Sequence, residues 1–200
     1  MRILCWNLKR PDGRRLRGIA ERLRDLGVEL LMAQETRPGD GPALSRLLGG
    51  VSAFTAAFPF RQSAEGHLLW RRHGPVGPVQ PLSFGGWPWP RVAQLFRLVP
   101  DGPVAANLQL SHGPLARRRE LGVVAGHRPA LIAGDLNWPE ALRLPGWHDA
   151  TPIGGSFRLG PLRLRLDRVL VADTLPQPSV RILPHGGLSD HDGLLIDLPL

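Results

Sequence analysis

A many-stranded, loop-rich fold with few helices is what this sequence predicts, and three observations carry the expectation. The 200 residues include 24 glycines and 21 prolines, spread as punctuation between short apolar runs. Such punctuation favours layered β-rich architecture over a helical bundle. Hydrophobic content of 42% and charged content of 21% are those of a globular chain rather than a disordered one. Helical periodicity is confined to a few windows, and one domain of this length buries roughly 70% of its unfolded surface.

The elements follow in order. Residues 2–8 read as a first strand with Asn7 near its end. Over residues 13–26 the period turns helical: Leu16, Ile19, Leu23 and Leu26 share a face, while Arg15, Arg17, Arg22 and Arg24 lie largely off it. Gly27 closes that helix. Residues 28–33 form a second strand that ends at Gln34-Glu35-Thr36, and a short helix is expected over 41–48. Candidate strands then occupy 51–58, 66–71, 76–83, 91–98 and 104–110. The loop Gly85-Gly86-Trp87-Pro88-Trp89-Pro90 is open to two readings, a base-stacking platform or rings folded back on their own sheet. Residues 114–126 look helical, with Arg117, Arg118 and Arg119 near the start. A strand over 129–135 is followed by a turn of helix near 139–142, and further strands occupy 162–171, 180–183 and 194–198. No internal repeat, low-complexity tract or linker divides the chain, so residues 1–200 are expected to be a single domain.

Composition narrows the partners. The single Cys5 excludes an internal disulfide and a cysteine-rich zinc site, and it reads as a small core residue. Net charge is +8, and Lys9 is the only lysine among 25 basic residues. Codon bias is an alternative account of part of that arginine skew, but a basic surface attracts polyanions whatever its origin. Nucleic acid is therefore the leading partner class. The start of the chain has too short an apolar run for a signal peptide, and no stretch approaches the ~20 apolar residues that span a bilayer. A soluble, cytoplasmic monomer is expected.

Chemistry-bearing residues recur at strand ends. The sharpest case is Leu131-Ile132-Ala133-Gly134-Asp135-Leu136-Asn137, where Pro139 stops the strand. Asp and Asn two apart on a strand project from one face. Taken alone, Asp-x-Asn is better explained by an Asx-type turn closing the strand. The same pattern returns at Asn7, Glu35, Asp167 and Asp190-His191. Turns do not readily account for five such ends in one chain, all of ligand or acid–base type. Glu35, Asp190 and Asn7 offer hard oxygen ligands suited to Mg²⁺ or Mn²⁺. Asp167 is the natural orienting partner of His191. Asp135 can deprotonate or aim a water, and Asn137 can donate to a non-bridging oxygen. Together these describe metal-assisted attack of water on a phosphate ester.

Five segments in order, Ile3-Leu4-Cys5-Trp6-Asn7, Leu31-Met32-Ala33-Gln34-Glu35-Thr36, Leu131 to Asn137, Leu166-Asp167-Arg168-Val169-Leu170-Val171 and Ser189-Asp190-His191, resemble the endonuclease/exonuclease/phosphatase superfamily with its DNase I-like fold. The resemblance runs from end to end, with 38–100 matching only in general pattern. It implies an α+β fold, a compact four-layer αββα sandwich of two mostly antiparallel sheets, with divalent-metal-dependent phosphoester cleavage. It implies further that Glu35 and Asn7 hold the metal, with Asp190 as a ligand or directly behind one. Asp135 would activate water, Asn137 contact the phosphate, and Asp167 and His191 pair at the scissile group.

Departures from the family pattern stand beside it. Gln109 occupies the place of an expected phosphate-facing His, with His112 three residues on. Lys9 stands where nucleases of this family tend to carry an amide residue, and Gly193 takes a usual Pro position. The resulting expectation is a Mg²⁺- or Mn²⁺-dependent nuclease that cleaves DNA without strong sequence specificity. Lys9, Arg37, Arg71, Arg72, His112 and the 117–119 arginines, Arg118 among them, would grip the substrate. A phosphatase or phosphodiesterase on a small or lipid-derived phosphoester is the alternative within enzymology, and a nucleic-acid-binding module with a weakened centre is the alternative outside it.

Overall fold

Alternation along the first strand, β1 (Arg2–Asn7), sorts the molecule into layers, because successive side chains point to opposite faces. Ile3 and Cys5 join a buried cluster with Leu30, Met32, Phe96, Leu131, Val169 and Leu194, which fills the space between two sheets. Leu4 and Trp6 face the other way, onto Leu16, Ile19 and Leu23 of the first helix, α1 (Gly13–Asp25). This computed structural model describes residues 1–57, 65–85 and 90–200. Trp87, Trp89 and Phe58, named among the sequence expectations, lie outside the described residues.

The chain continues through β2 (Leu30–Thr36), α2 (Asp40–Leu48), β3 (Val51–Ala56), β4 (Gly66–Arg71), β5 (Gln80–Gly85), β6 (Arg91–Arg97) and β7 (Val104–Gln109). It goes on through α3 (Pro114–Gly126), β8 (Leu131–Asp135), β9 (Trp147–Asp149), β10 (Phe157–Leu159), β11 (Leu162–Leu164), β12 (Asp167–Ala172), β13 (Ser179–Leu183) and β14 (Gly193–Asp197). Two six-stranded sheets result, ordered β13-β14-β1-β2-β4-β3 and β5-β6-β7-β8-β12-β9. Each has one parallel pair, β1 with β2 through α1 and β7 with β8 through α3; the remaining pairs are antiparallel. Outside the second sheet, Leu108, Ile132 and Leu170 pack on Leu121 and Val124 of α3. The order of layers is αββα, as expected.

Local chemistry sets the boundaries. Asp12 caps α1 by accepting from the Arg15 amide at 2.8 Å, and Gly27 ends it at φ 63°. In the β7–β8 pair Leu108 lies opposite Gly134, and a Cβ on Gly134 would sit 1.8 Å from the Leu108 carbonyl oxygen. Glycine is required there by that close approach. A chain of buried amides ties the sheets across their interior: Gln34 Nε2 donates to Asn107 Oδ1 at 2.6 Å, and Asn107 Nδ2 donates to Gln94 Oε1 at 2.8 Å. Gln94 in turn donates to Thr55 Oγ1 at 3.0 Å.

The structure corrects several expectations. No helical turn forms over 139–142, because guanidiniums take the carbonyls such a turn would use. The strand expected over 162–171 is broken at Arg165 and Leu166 into β11, which pairs only with β10, and β12, which pairs with β8 and β9. β5 begins at Gln80, after Gly77 at φ 76° and Pro78. β9 and β10, three residues each, had no readable period. Arginines expected to meet phosphate are instead internal staples: Arg71 donates to Leu98 O at 2.7 Å, Arg72 to Val28 O at 2.9 Å and Leu23 O at 3.0 Å, and Arg117 to Asn137 O at 2.5 Å.

Candidate active site

The carboxyl ends of both parallel pairs open at the same place. Asn7 and Glu35 arrive on β1 and β2, Gln109 and Asp135 on β7 and β8. They bond to one another across the sheets. Asn7 Nδ2 donates to Glu35 Oε1 at 3.0 Å and to Asp135 Oδ2 at 3.1 Å. Gln109 Nε2 donates to the same two oxygens at 2.7 and 3.2 Å, while its Oε1 accepts from Arg91 at 2.7 Å. Glu35 is aimed by an irregularity in β2 between Ala33 and Thr36, where it adopts φ 50°. A left-handed non-glycine residue at such a spot is the kind of local strain that functional sites hold.

Asp167 begins β12 directly opposite Asp135. Its Oδ2 meets His191 Nδ1 at 2.8 Å and accepts from Ser156 Oγ at 2.5 Å. The Phe157 ring lies 4.7 Å from the His191 ring, and Trp6 Nε1 donates to the His191 carbonyl at 2.7 Å. Burial pushes the His191 imidazole toward neutrality. Asp167, with Asp135 and Asp190 behind it, outweighs burial and raises the pKa to about 9. The imidazole is thus held protonated, with Nδ1 spent on Asp167. Burial, then Asp167, raises the Asp135 pKa above the ordinary carboxylate value, against the lowering effect of His191, the Asn137 amide and Asn7. A carboxylate so raised is a better base than one in water.

Asn137, at φ 50°, turns its backbone N–H onto Asp135 Oδ1 at 3.1 Å and its Nδ2 onto Leu110 O at 2.7 Å. One amide hydrogen of Nδ2 remains for another acceptor. At the rim, Lys9 Nζ contacts Asp190 Oδ2, and the Lys9 backbone N–H donates to Asn7 Oδ1 at 3.1 Å. Of the residues expected at the site, the structure therefore gathers Asn7, Lys9, Glu35, Gln109, Asp135, Asn137, Asp167, Asp190 and His191. It does not gather three others. Arg37 is exposed beyond the end of β2, His112 is exposed after β7, and Arg118 lines a cavity of about 410 Å³ with Leu121, Trp138 and Arg143. Ser156, Phe157 and Arg91 belong to the site but carried no signal in the sequence, since each acts only through a side chain that did.

The oxygen donors fit a hard divalent ion. Asp190 Oδ1 is buried without a hydrogen-bond partner among the described residues, and so is Asp167 Oδ1. An orphaned buried carboxylate oxygen is costly unless something is bound to it. The ligand atoms of Asp135, Asp167 and His191 lie within 4.8 Å of one another, a further group able to hold a metal. His191 Nδ1 is already engaged by Asp167 at 2.8 Å, which leaves Nε2 of that ring for a further partner.

The fold is an αββα sandwich in which carboxylates, amides and an imidazole converge where two β–α–β units end. The sequence matches the Endonuclease/Exonuclease/phosphatase family over residues 4–191, and the chain belongs to that family, whose members are phosphoesterases. No curated protein matches it. Among solved structures, it is similar to an endonuclease/exonuclease/phosphatase family protein from Bacteroides thetaiotaomicron. That likeness has a TM-score of 0.75 at 16% identity and covers 98% of this chain and 96% of the other. A mannosyl-6-phosphatase from Bacteroides thetaiotaomicron VPI-5482 aligns with a TM-score of 0.73 at 15% identity over 100% of both chains. A truncated TDP2 from Caenorhabditis elegans aligns with a TM-score of 0.71 at 16% identity, covering 98% and 96%. At such identities the likeness is one of fold. Among the described residues no helix is long and apolar enough to cross a membrane.

Proposed function

We propose that residues 1–200 act as one catalytic unit, a Mg²⁺- or Mn²⁺-dependent phosphodiester hydrolase that cleaves DNA without strong sequence specificity. The observation that carries this reading is the closeness of two differently tuned centres: a raised Asp135 carboxylate, and a His191–Asp167 pair bonded at 2.8 Å, with ligand atoms of all three within 4.8 Å of one another. Asp135 takes the proton from the attacking water, and the Asn137 N–H keeps its other oxygen in place. His191 donates from Nε2 to the phosphate, with Asp167 and Ser156 fixing the ring. The free hydrogen of Asn137 Nδ2 meets a non-bridging oxygen. Glu35, Asn7 and Asp190, the last through its orphaned Oδ1, would hold the ion, with Gln109 orienting the Glu35 carboxylate. A divalent ion there supplies charge neutralisation on the phosphoryl oxygens. Lys9, Arg37 and other exposed basic residues meet the backbone phosphates.

The specific observation that favours a second reading is the internal use of Arg71, Arg72 and Arg117, which leaves fewer free cations for a polyanion. Under it the substrate is a small phosphoester. Supercoiled plasmid with Mg²⁺ or Mn²⁺ separates the outcomes. The wild type is expected to nick it, and Glu35→Ala and His191→Ala to lose at least about 10²-fold in rate. Binding of plasmid without cleavage by either ion overturns the hydrolase reading. Turnover of a chromogenic phosphoester with an untouched plasmid selects the small-substrate reading.

A further inference from the structure

The loop 137–140 has no regular secondary structure, yet its shape is held from two sides by buried cations. Arg168 is 0% exposed and follows Asp167 on β12, so its side chain leaves the opposite face of the strand. Its Nη2 donates to Trp138 O and Glu140 O, both at 2.6 Å, and its Nε donates to Trp138 O at 3.1 Å and Arg165 O at 3.0 Å. Asp149 balances its charge through Nη1 at 2.6 Å. From the other side, Arg117 of α3 donates to Asn137 O at 2.5 Å and to both oxygens of Glu140 at 2.8 and 2.7 Å, with its guanidinium 4.9 Å from the Trp138 ring centroid.

We propose that Arg117 and Arg168 form a guanidinium clamp that positions Asn137, and through it Asp135, for the reaction inferred above. The carbonyls of residues 137, 138 and 140 are drawn outward to the two cations. No helical turn can then form, and Asn137 is kept in the left-handed conformation that sets its N–H on Asp135 Oδ1 and its Nδ2 on Leu110 O. A strand end needs no such device merely to stop, since Pro139 already stops it. The planar fork of a guanidinium fixes several carbonyls at set angles to one another, which the rotating donors of an ammonium do not.

The clamp acts through Asn137, and that makes it testable apart from stability. Arg117→Gln is expected to lower kcat by about 10²-fold with KM changed by no more than about twofold. In an Asn137→Ala background the same change is expected to cost clearly less, about tenfold, since the Asn137 side chain is gone while its backbone N–H on Asp135 remains to be positioned. Equal losses in both backgrounds overturn the proposal. Arg117→Lys is expected to recover only part of the rate, and full recovery counts against a fork-specific role. The Asn137 backbone amide should exchange with solvent at least about tenfold faster in Arg117→Gln than in wild type, while β8 amides are unchanged. That arm needs no substrate. A wild type without phosphoesterase activity overturns the functional reading, and unchanged Asn137 exchange overturns the clamp. Arg168→Met is the stronger perturbation, and Arg117→Gln keeps the test intact if that variant does not fold.

Discussion

Gln109 is a neutral amide set between two carboxylates, and its contacts give a physical reason for it. It donates to Glu35 and Asp135 and accepts from Arg91, so it screens two carboxylates from each other without adding charge. Gln109→Glu brings a third carboxylate to both. The expected result is a fall in rate of about 10²-fold, with the alkaline shift of the Asp135 titration visible in the pH profile of kcat/KM. A second residue governs acid stability. Burial lowers the His67 pKa to about 4; its hydrogen bond to Val92 O opposes that shift, and its Nδ1 has no partner among the described residues. The unfolded chain takes this proton near the ordinary value of about 6.5, the folded chain only near 4. The contribution is therefore complete above pH 6.5 and is lost as pH falls from there toward 4, by about 3 kcal/mol at most. Urea denaturation between pH 7 and 4.5 reads it, and His67→Gln should flatten that part of the curve even if it lowers stability at pH 7.

The strands and helices were legible where burial imposes a period. Leu16, Ile19 and Leu23 announced α1, and the alternation of Ile3 and Cys5 against Leu4 and Trp6 announced β1 and both layers that flank it. What stayed hidden has a common cause: side chains acting on backbone far away in sequence. Nothing near Pro139 says that Arg117 and Arg168 will take its neighbours' carbonyls, and nothing in Arg71 says that it will reach Leu98 O rather than a phosphate. The site residues were legible for the opposite reason, since each is a polar group at or beside one end of an apolar strand. At this scale the close pairing of β7 with β8 makes a sharp prediction. Gly134→Ala places a methyl 1.8 Å from the Leu108 carbonyl oxygen, so the strands must part. A loss of about 3 kcal/mol or more in denaturant is expected, with activity lost alongside it, because Gln109 and Asp135 end those same two strands.

For the whole molecule, charge gives the decisive measurement. With a net charge of +8, the chain should show a kcat/KM on duplex DNA that falls by about tenfold or more as sodium chloride rises from about 50 to about 200 mM. A small uncharged-leaving-group phosphoester should be nearly indifferent over the same range. A flat response on DNA itself would show that backbone contacts do not limit the reaction. The same scale brings out what the two parallel pairs entail. Each sheet carries one β–α–β unit at its centre, and each unit delivers two of the four bonded groups Asn7, Glu35, Gln109 and Asp135. Neither unit holds a working set by itself. For the proposed reaction, turnover would certify assembly: a fragment, a half-folded chain or a pair of sheets slipped by one residue should be chemically silent.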